Sequence, residues 1–201
     1  MKTSFAIIAT CVILLLASTQ LKAQKQDYII NNLGDTVKCE VKVPPLFGVP
    51  RYKTAGSNQW QRISLKNTNE YYTTQNHTLI RRVVKPDGKA VFMKVLENGK
   101  ISLYEESTTD TNMAAGPNAT PTTTISTEWY AAKTPDLNKV AKKIDLGSFG
   151  LSFKSKKKRI AEISAMMVDD KAVADKFTAD DKFNYKAVRN IIHLYNTGEV
   201  L

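Results

Sequence analysis

Cysteine and histidine are scarce in this chain, with two of each among 201 residues, and the scarcity excludes several kinds of protein. Cys11 lies in an apolar N-terminal run that is expected to be removed, so Cys39 stands alone and no intrachain disulfide can form. A zinc site needs three or four convergent ligands, and His77, His193 and Cys39 are too few and too far apart in sequence to suggest one. The Gly-x-Ser-x-Gly elbow, the His-Glu-x-x-His pair, the Walker glycine loop and the dinucleotide fingerprint are all missing. A Ser-His-Asp or Cys-His site can assemble from distant residues, but nothing in the sequence speaks for one. We therefore assign no catalytic, cofactor-binding or metal-ligating residue, and expect no cofactor. After the first apolar run no second segment approaches membrane-spanning length.

What is present begins with that run. Lys2, the apolar stretch from Phe5 to Ala17 and the end Leu21-Lys22-Ala23 form the three parts of an export signal. Cleavage is expected after Ala23. A retained anchor would need about 20 apolar residues, and a lipoprotein would need its cysteine after the apolar stretch, whereas Cys11 lies inside it. Removing 23 of the 201 residues, which carry Lys2 and Lys22 but no acid, leaves 178 and lowers the net charge from +10 to +8. The mature chain is expected in the periplasm, at the outer membrane or outside the cell, soluble or peripherally attached. Export removes nuclear targeting and cytoplasmic nucleic acid from the possible roles of its basic residues. Its length suits one domain or two small ones.

The first half reads as short strands. Asp27 to Ile30, the turn Asn31-Asn32-Leu33-Gly34-Asp35 and the alternating run Thr36 to Lys42 make a hairpin signal, with Gly34 free to take a positive φ. In that run Val37, Cys39 and Val41 share a face, which predicts a buried thiol acting as a small hydrophobe; the alternatives are a reactive thiol or an intermolecular bridge. Three prolines around Phe47-Gly48 break the pattern, and weaker strands are expected at Arg51 to Thr54 and Trp60 to Leu65. From Thr78 to Glu106, Pro86-Asp87-Gly88 and Asn98-Gly99 divide three β-rich runs into an antiparallel meander, the second turn carrying the type I′ signature. Val91 to Leu96 is apolar on both faces, so both sides of the sheet should be covered.

Residues 107–124 are rich in threonine, alanine, asparagine and proline without a hydrophobic period, which predicts a loop or linker. A strand is expected to resume at Ile125 to Ala132, and 137–144 fits either helix or strand. The last third is helical by period: Ile160, Ile163 and Met167, then Val173 and Phe177, then the stripe Tyr185, Val188, Ile191, Ile192 and Tyr195 between Asn184 and Gly198. The expected organisation is a signal peptide at 1–23, a β-rich module at 24–106, a low-complexity segment at 107–124, and a strand followed by helices at 125–201 packed with the β-rich module. The fold class is α+β, antiparallel strands first and helices last.

Side chains able to carry chemistry have plain structural readings. Glu105-Glu106, Asp169-Asp170 and Asp180-Asp181 are placed at element ends, where acids solvate a boundary or cap a helix. His77 falls in a polar loop and His193 beside the stripe of the last helix. Lys154-Ser155-Lys156-Lys157-Lys158-Arg159 opens a helix, where cations oppose the dipole. It is either a solvated surface or a patch for an anionic surface, glycan or partner. Asn76-His77-Thr78 and Asn118-Ala119-Thr120 fit the glycosylation sequon, which matters only in a eukaryotic host.

Asp27-Tyr28-Ile29-Ile30 followed by Gly34-Asp35-Thr36-Val37, then Leu96 to Glu105, and finally Ile192-His193-Leu194-Tyr195-Asn196 resemble a group of uncharacterised exported proteins of the Bacteroidota. The resemblance implies a bacterial envelope protein in which a Gly-Asp-Thr turn opens a β-rich module and a Tyr-Asn closes a small helical one. It supplies no catalytic residue. Two function classes follow. One is a noncatalytic envelope protein that binds a partner protein, glycan or membrane surface; the other is a small secreted hydrolase with a dispersed active site.

Overall fold

The computed structural model describes residues 26–44, 48–112, 122–133, 140–145, 155–180 and 182–201. Residues 1–23, expected as the export segment, Lys154, Asn118 and most of the interior of the low-complexity stretch lie outside them. The fold is α+β, and among the described residues ten strands in chain order are followed by three helices. The strands are β1 (Tyr28–Asn31), β2 (Thr36–Lys42), β3 (Arg51–Thr54), β4 (Gln61–Arg62), β5 (Thr68–Thr73), β6 (Thr78–Val84), β7 (Ala90–Glu97), β8 (Ile101–Asn112), β9 (Thr122–Lys133) and β10 (Lys142–Ile144). They form one sheet in the order β10-β9-β8-β7-β6-β5-β1-β2-β3-β4, every neighbouring pair antiparallel.

The first hairpin turns as its glycine requires. Gly34 has φ +93°, and the Asn31 side-chain oxygen accepts from the Leu33 and Asp35 N–H groups, both at 2.9 Å. Gly88, with φ +80°, turns the β6–β7 hairpin. The β7–β8 connection differs from expectation, because neither Asn98 nor Gly99 has a positive φ and the turn is not type I′. Gly99 is needed for space: a Cβ there would lie 2.5 Å from the Asn196 side-chain carbon. Asn196 uses that approach to dock on β8, accepting from the Ile101 N–H at 2.9 Å and donating to the Ile101 carbonyl at 2.8 Å.

The sheet curls along its length until β6 meets the segment entering β10, where Val84 bridges Val140 in parallel and the Ala141 N–H donates to the Val84 carbonyl at 2.9 Å. Strands β6 to β10 thus enclose one apolar cluster of Val83, Met93, Tyr104, Tyr130, Ala132 and Ala141. The other face carries two more. At the β8–β10 end, Ile101, Leu103, Trp129 and Ala131 pack under the helices α1 (Lys156–Ser164), α2 (Lys171–Ala179) and α3 (Tyr185–Thr197), which contribute Ile160, Ile163, Phe177, Val188, Ile191 and Ile192, with Met167 from the turn after α1. At the other end Ile29, Cys39, Val41, Ile63 and Tyr71 form a smaller cluster with Ile80 and Phe92. Both faces of β7 are accordingly used, Met93 on one and Phe92 on the other.

The helix boundaries follow their caps. Asp170 accepts from the Val173 N–H and Asn184 from the Ala187 N–H, while Gly198 ends α3 in the left-handed region at φ +80°. The 137–144 ambiguity resolves as strand where it is described, at Lys142–Ile144. Two elements depart from the sequence reading. Strand β5 was not signalled, because Thr-Asn-Glu-Tyr-Tyr-Thr has no alternation. Residues 107–112 and 122–124, expected as loop, continue β8 and β9 in an unbroken twelve-pair register from Ile101↔Lys133 to Asn112↔Thr122. Threonine favours the extended backbone, and the apolar base of the hairpin sets the register that its polar end prolongs.

Candidate functional site

Register brings together residues that the sequence keeps apart. Lys38 pairs with Tyr28, Tyr28 with Tyr72, and Tyr72 with Leu79, which makes one cross-strand row over β2, β1, β5 and β6. These four residues and Val95 line a single cleft, with His77 on its rim. The Tyr28 and Tyr72 rings stack with centroids 5.8 Å apart and planes 17° from parallel.

The next row anchors the first. Thr36, Ile30, Glu70, Arg81 and Met93 pair successively across the same strands and on to β7. Arg81 grips Glu70 with both Nε and Nη2 at 2.6 Å, and both side chains are buried. Tyr28 donates its hydroxyl to the other Glu70 oxygen at 3.0 Å. Burial first, and the Glu70 charge second, push the Tyr28 phenol up to about 12, so it stays neutral and remains a donor. Arg81 also reaches Asn98 at 3.2 Å, tying the row to the β7–β8 turn.

A second hollow adjoins the first and gathers Asp27, Cys39, Glu40, Thr74 and His77. A histidine, a thiol and two carboxylates in one depression is the arrangement a hydrolase would need, so the state of each group matters. Asp27 is consumed by the backbone: one oxygen accepts from the Val41 N–H at 2.7 Å, and the other from the Thr74 N–H and hydroxyl, both at 2.7 Å. Cys39 lies in the apolar cluster of β2 as its alternation predicts, and burial, then the Asp27 charge, push its thiol up to about 11. A thiol so protonated is a poor nucleophile at neutral pH. His77 is exposed, with φ +48°, the only non-glycine with positive φ among the described residues. Its Nδ1 lies 3.5 Å from the Tyr72 hydroxyl. That strained conformation sits at the cleft rim, where backbone strain often accompanies a binding role.

The other residues of chemical interest serve the fold. His193 and Arg189, one turn apart on α3, both hold the buried Glu97 of β7, through Nδ1 at 2.8 Å and Nε at 2.7 Å respectively. Glu105 accepts from the Trp129 indole at 3.1 Å and Glu106 pairs with Lys85 at 3.1 Å. This pair therefore sits inside β8 and not at an element end. Asp169 accepts from Lys133 and from the Tyr195 hydroxyl, Asp170 caps α2, and Asp180 lies at that helix's C-cap. In the basic run Ser155 caps α1, and Lys157 and Lys158 are exposed. Arg159 is used structurally, donating to the Asp145 carbonyl at 3.2 Å with its guanidinium 4.9 Å from the Phe183 ring centre. Among the described residues no group of three or more histidine, cysteine, aspartate or glutamate side chains could hold a metal ion, and no helix is long and apolar enough to cross a membrane.

The sequence reading missed Tyr28, Tyr72, Leu79 and Lys38 as a set. The only signal was the unusual run of two tyrosines after Glu70, which an alternation test passes over. No protein-family model matches the chain, and neither a curated protein nor a solved structure matches it.

Proposed function

We propose that this is an exported, noncatalytic binding protein of the bacterial envelope, and that its ligand sits on the row Lys38–Tyr28–Tyr72–Leu79. The observation that carries the reading is the pairing of an aromatic and aliphatic floor with a cationic end on one open sheet face. Such a surface suits a ligand with an apolar face for the rings and an anionic or hydroxyl group for Lys38 and His77. The fixed Asp27 and the protonated Cys39 leave the adjoining hollow without an activated nucleophile, which supports binding over hydrolysis.

The test compares the mature chain with its Leu79→Glu variant, binding each to envelope polysaccharide fragments and to anionic vesicles while circular dichroism checks the fold. Binding to one of these probes that disappears in the folded variant supports the proposal. Binding unaffected by Leu79→Glu overturns the site, and turnover of an ester or peptide substrate that His77→Ala abolishes overturns the noncatalytic reading.

A further inference from the structure

The far end of the β8–β9 hairpin is a second, separate surface. Residues 107–110 and 123–126 are exposed on both strands. The β7 pairing of β8 ends at Lys94↔Glu105, and the β10 pairing of β9 ends at Ile144↔Trp129. Beyond those points neither strand pairs with a further strand among the described residues, and the one backbone contact from another element is the Tyr185 hydroxyl of α3, which donates to the Thr127 carbonyl at 3.3 Å and leaves residues 123–126 of the β9 edge open. Proteins usually blunt such edges with lysine, proline, a bulge or short length. This arm has none of them: its register is unbroken to Asn112↔Thr122, and its described strand residues from Glu106 and Glu128 outward include no lysine and no proline.

Fourth in β9, in an arm otherwise of threonine, serine, asparagine and acids, stands Ile125, 69% exposed. We propose that the β9 edge pairs with the same edge of a second copy, antiparallel about a twofold axis at Ile125. The residue order fits this occupant. With Ile125 opposite Ile125, Ser126 faces Thr124, Thr127 faces Thr123 and Glu128 faces Thr122 of the second copy, so no acid meets an acid. The two isoleucines shield each other from water, and hydroxyl-bearing β-formers supply the flanking pairs, a favourable cross-strand combination. The β8 edge offers no such centre, since Thr109 would face Thr109. A twofold contact also closes on itself, whereas pairing β9 with a neighbour's β8 would leave edges for open-ended growth.

The mature chain is tested by light scattering over a wide concentration range. The expected result is the mass of two chains at high concentration, falling to one chain in Ile125→Lys and unchanged in Thr109→Lys. A second variant works without disruption: Ile125→Cys places two thiols directly opposite at strand-pair spacing and should form an interchain disulfide under mild oxidation, whereas Glu128→Cys should not. A single-chain mass at every concentration overturns the proposal, as does a dimer that survives Ile125→Lys. Equal crosslinking by Ile125→Cys and Glu128→Cys would also overturn the twofold register.

Discussion

The two ends of the sheet are held together by different means. Under the helices, Ile101, Leu103, Met167, Val188 and Ile192 are all sealed from solvent, and the packing is almost wholly apolar. At the β1–β5 end the corresponding cluster is smaller and no helix packs on it among the described residues. Several of the buried groups there are polar: Asp27, Thr68, Glu70, Thr73 and Arg81. Each buried polar group must find partners or lose free energy, and Asp27 and Glu70 find theirs across three strands. One end is therefore stabilised by area removed from water and the other by directed hydrogen bonds. A binding surface belongs on the second kind, because its shape is fixed from beneath while its face stays open.

The sharpest way to break this comparison is to remove Glu70. Glu70→Ala strands the buried Arg81 guanidinium and frees the Tyr28 hydroxyl, and breaking a buried pair from one side costs about 3–5 kcal/mol. Urea unfolding should show that loss, whereas Glu70→Leu combined with Arg81→Leu should recover most of it, since an apolar replacement leaves no stranded charge. A loss equally large in the double variant would mean that shape, and not charge pairing, holds the cleft floor.

The covered end has two polar seams between α3 and the sheet, at Glu97 and at Asn196, and Asn196→Ala opens the second. The variant orphans the Ile101 N–H and carbonyl, with an expected cost of about 1–3 kcal/mol for an unsatisfied buried group. Gly99→Ala should be similarly damaging in the native chain and less damaging once Asn196 is alanine, because the contacts with Asn196 Cγ and Oδ1 at 2.5 and 2.7 Å are removed while that with its Cβ at 2.9 Å stays. Independent, additive losses in a double-mutant cycle would break the link drawn between the β7–β8 turn and α3.

What could be read from the sequence, and what could not, follows the range of the interactions. The helices were legible because Asn184, Asp170 and Gly198 act within one turn of themselves and the apolar stripe repeats locally. The first hairpin and β3 were legible for the same reason, Gly34 answering to a backbone angle and Arg51–Thr54 to local pattern. Gly99 looked like a turn glycine, but its reason lies on α3. Strand β5 is buried through Glu70, whose partner is on β6, so no local period could mark it. The candidate site depends on β1 lying between β2 and β5, an order that only the assembled sheet defines.

The smallest effect is one of pH, and it tests whether the covered end also uses charge. Hydrogen bonds from Lys133, then Tyr195, hold the Asp169 carboxyl at about 2, below its ordinary 3.8. A depressed carboxylate contributes stability that is present above its unfolded value and lost as pH falls through the folded one. The contribution should therefore be full at neutral pH and vanish between 3.8 and about 2. Asp169 is exposed and its pairing with Lys133 is open to salt screening, so the contribution is small. Thermal melting of the native chain and Asp169→Asn should differ slightly at neutral pH and low salt, converge below pH 2, and converge also at high salt. A gap that persists in acid would assign Asp169 a role in the shape of the α1–α2 turn independent of its charge, and would leave Glu97 with Arg189 and His193 as the charged contact of the covered end.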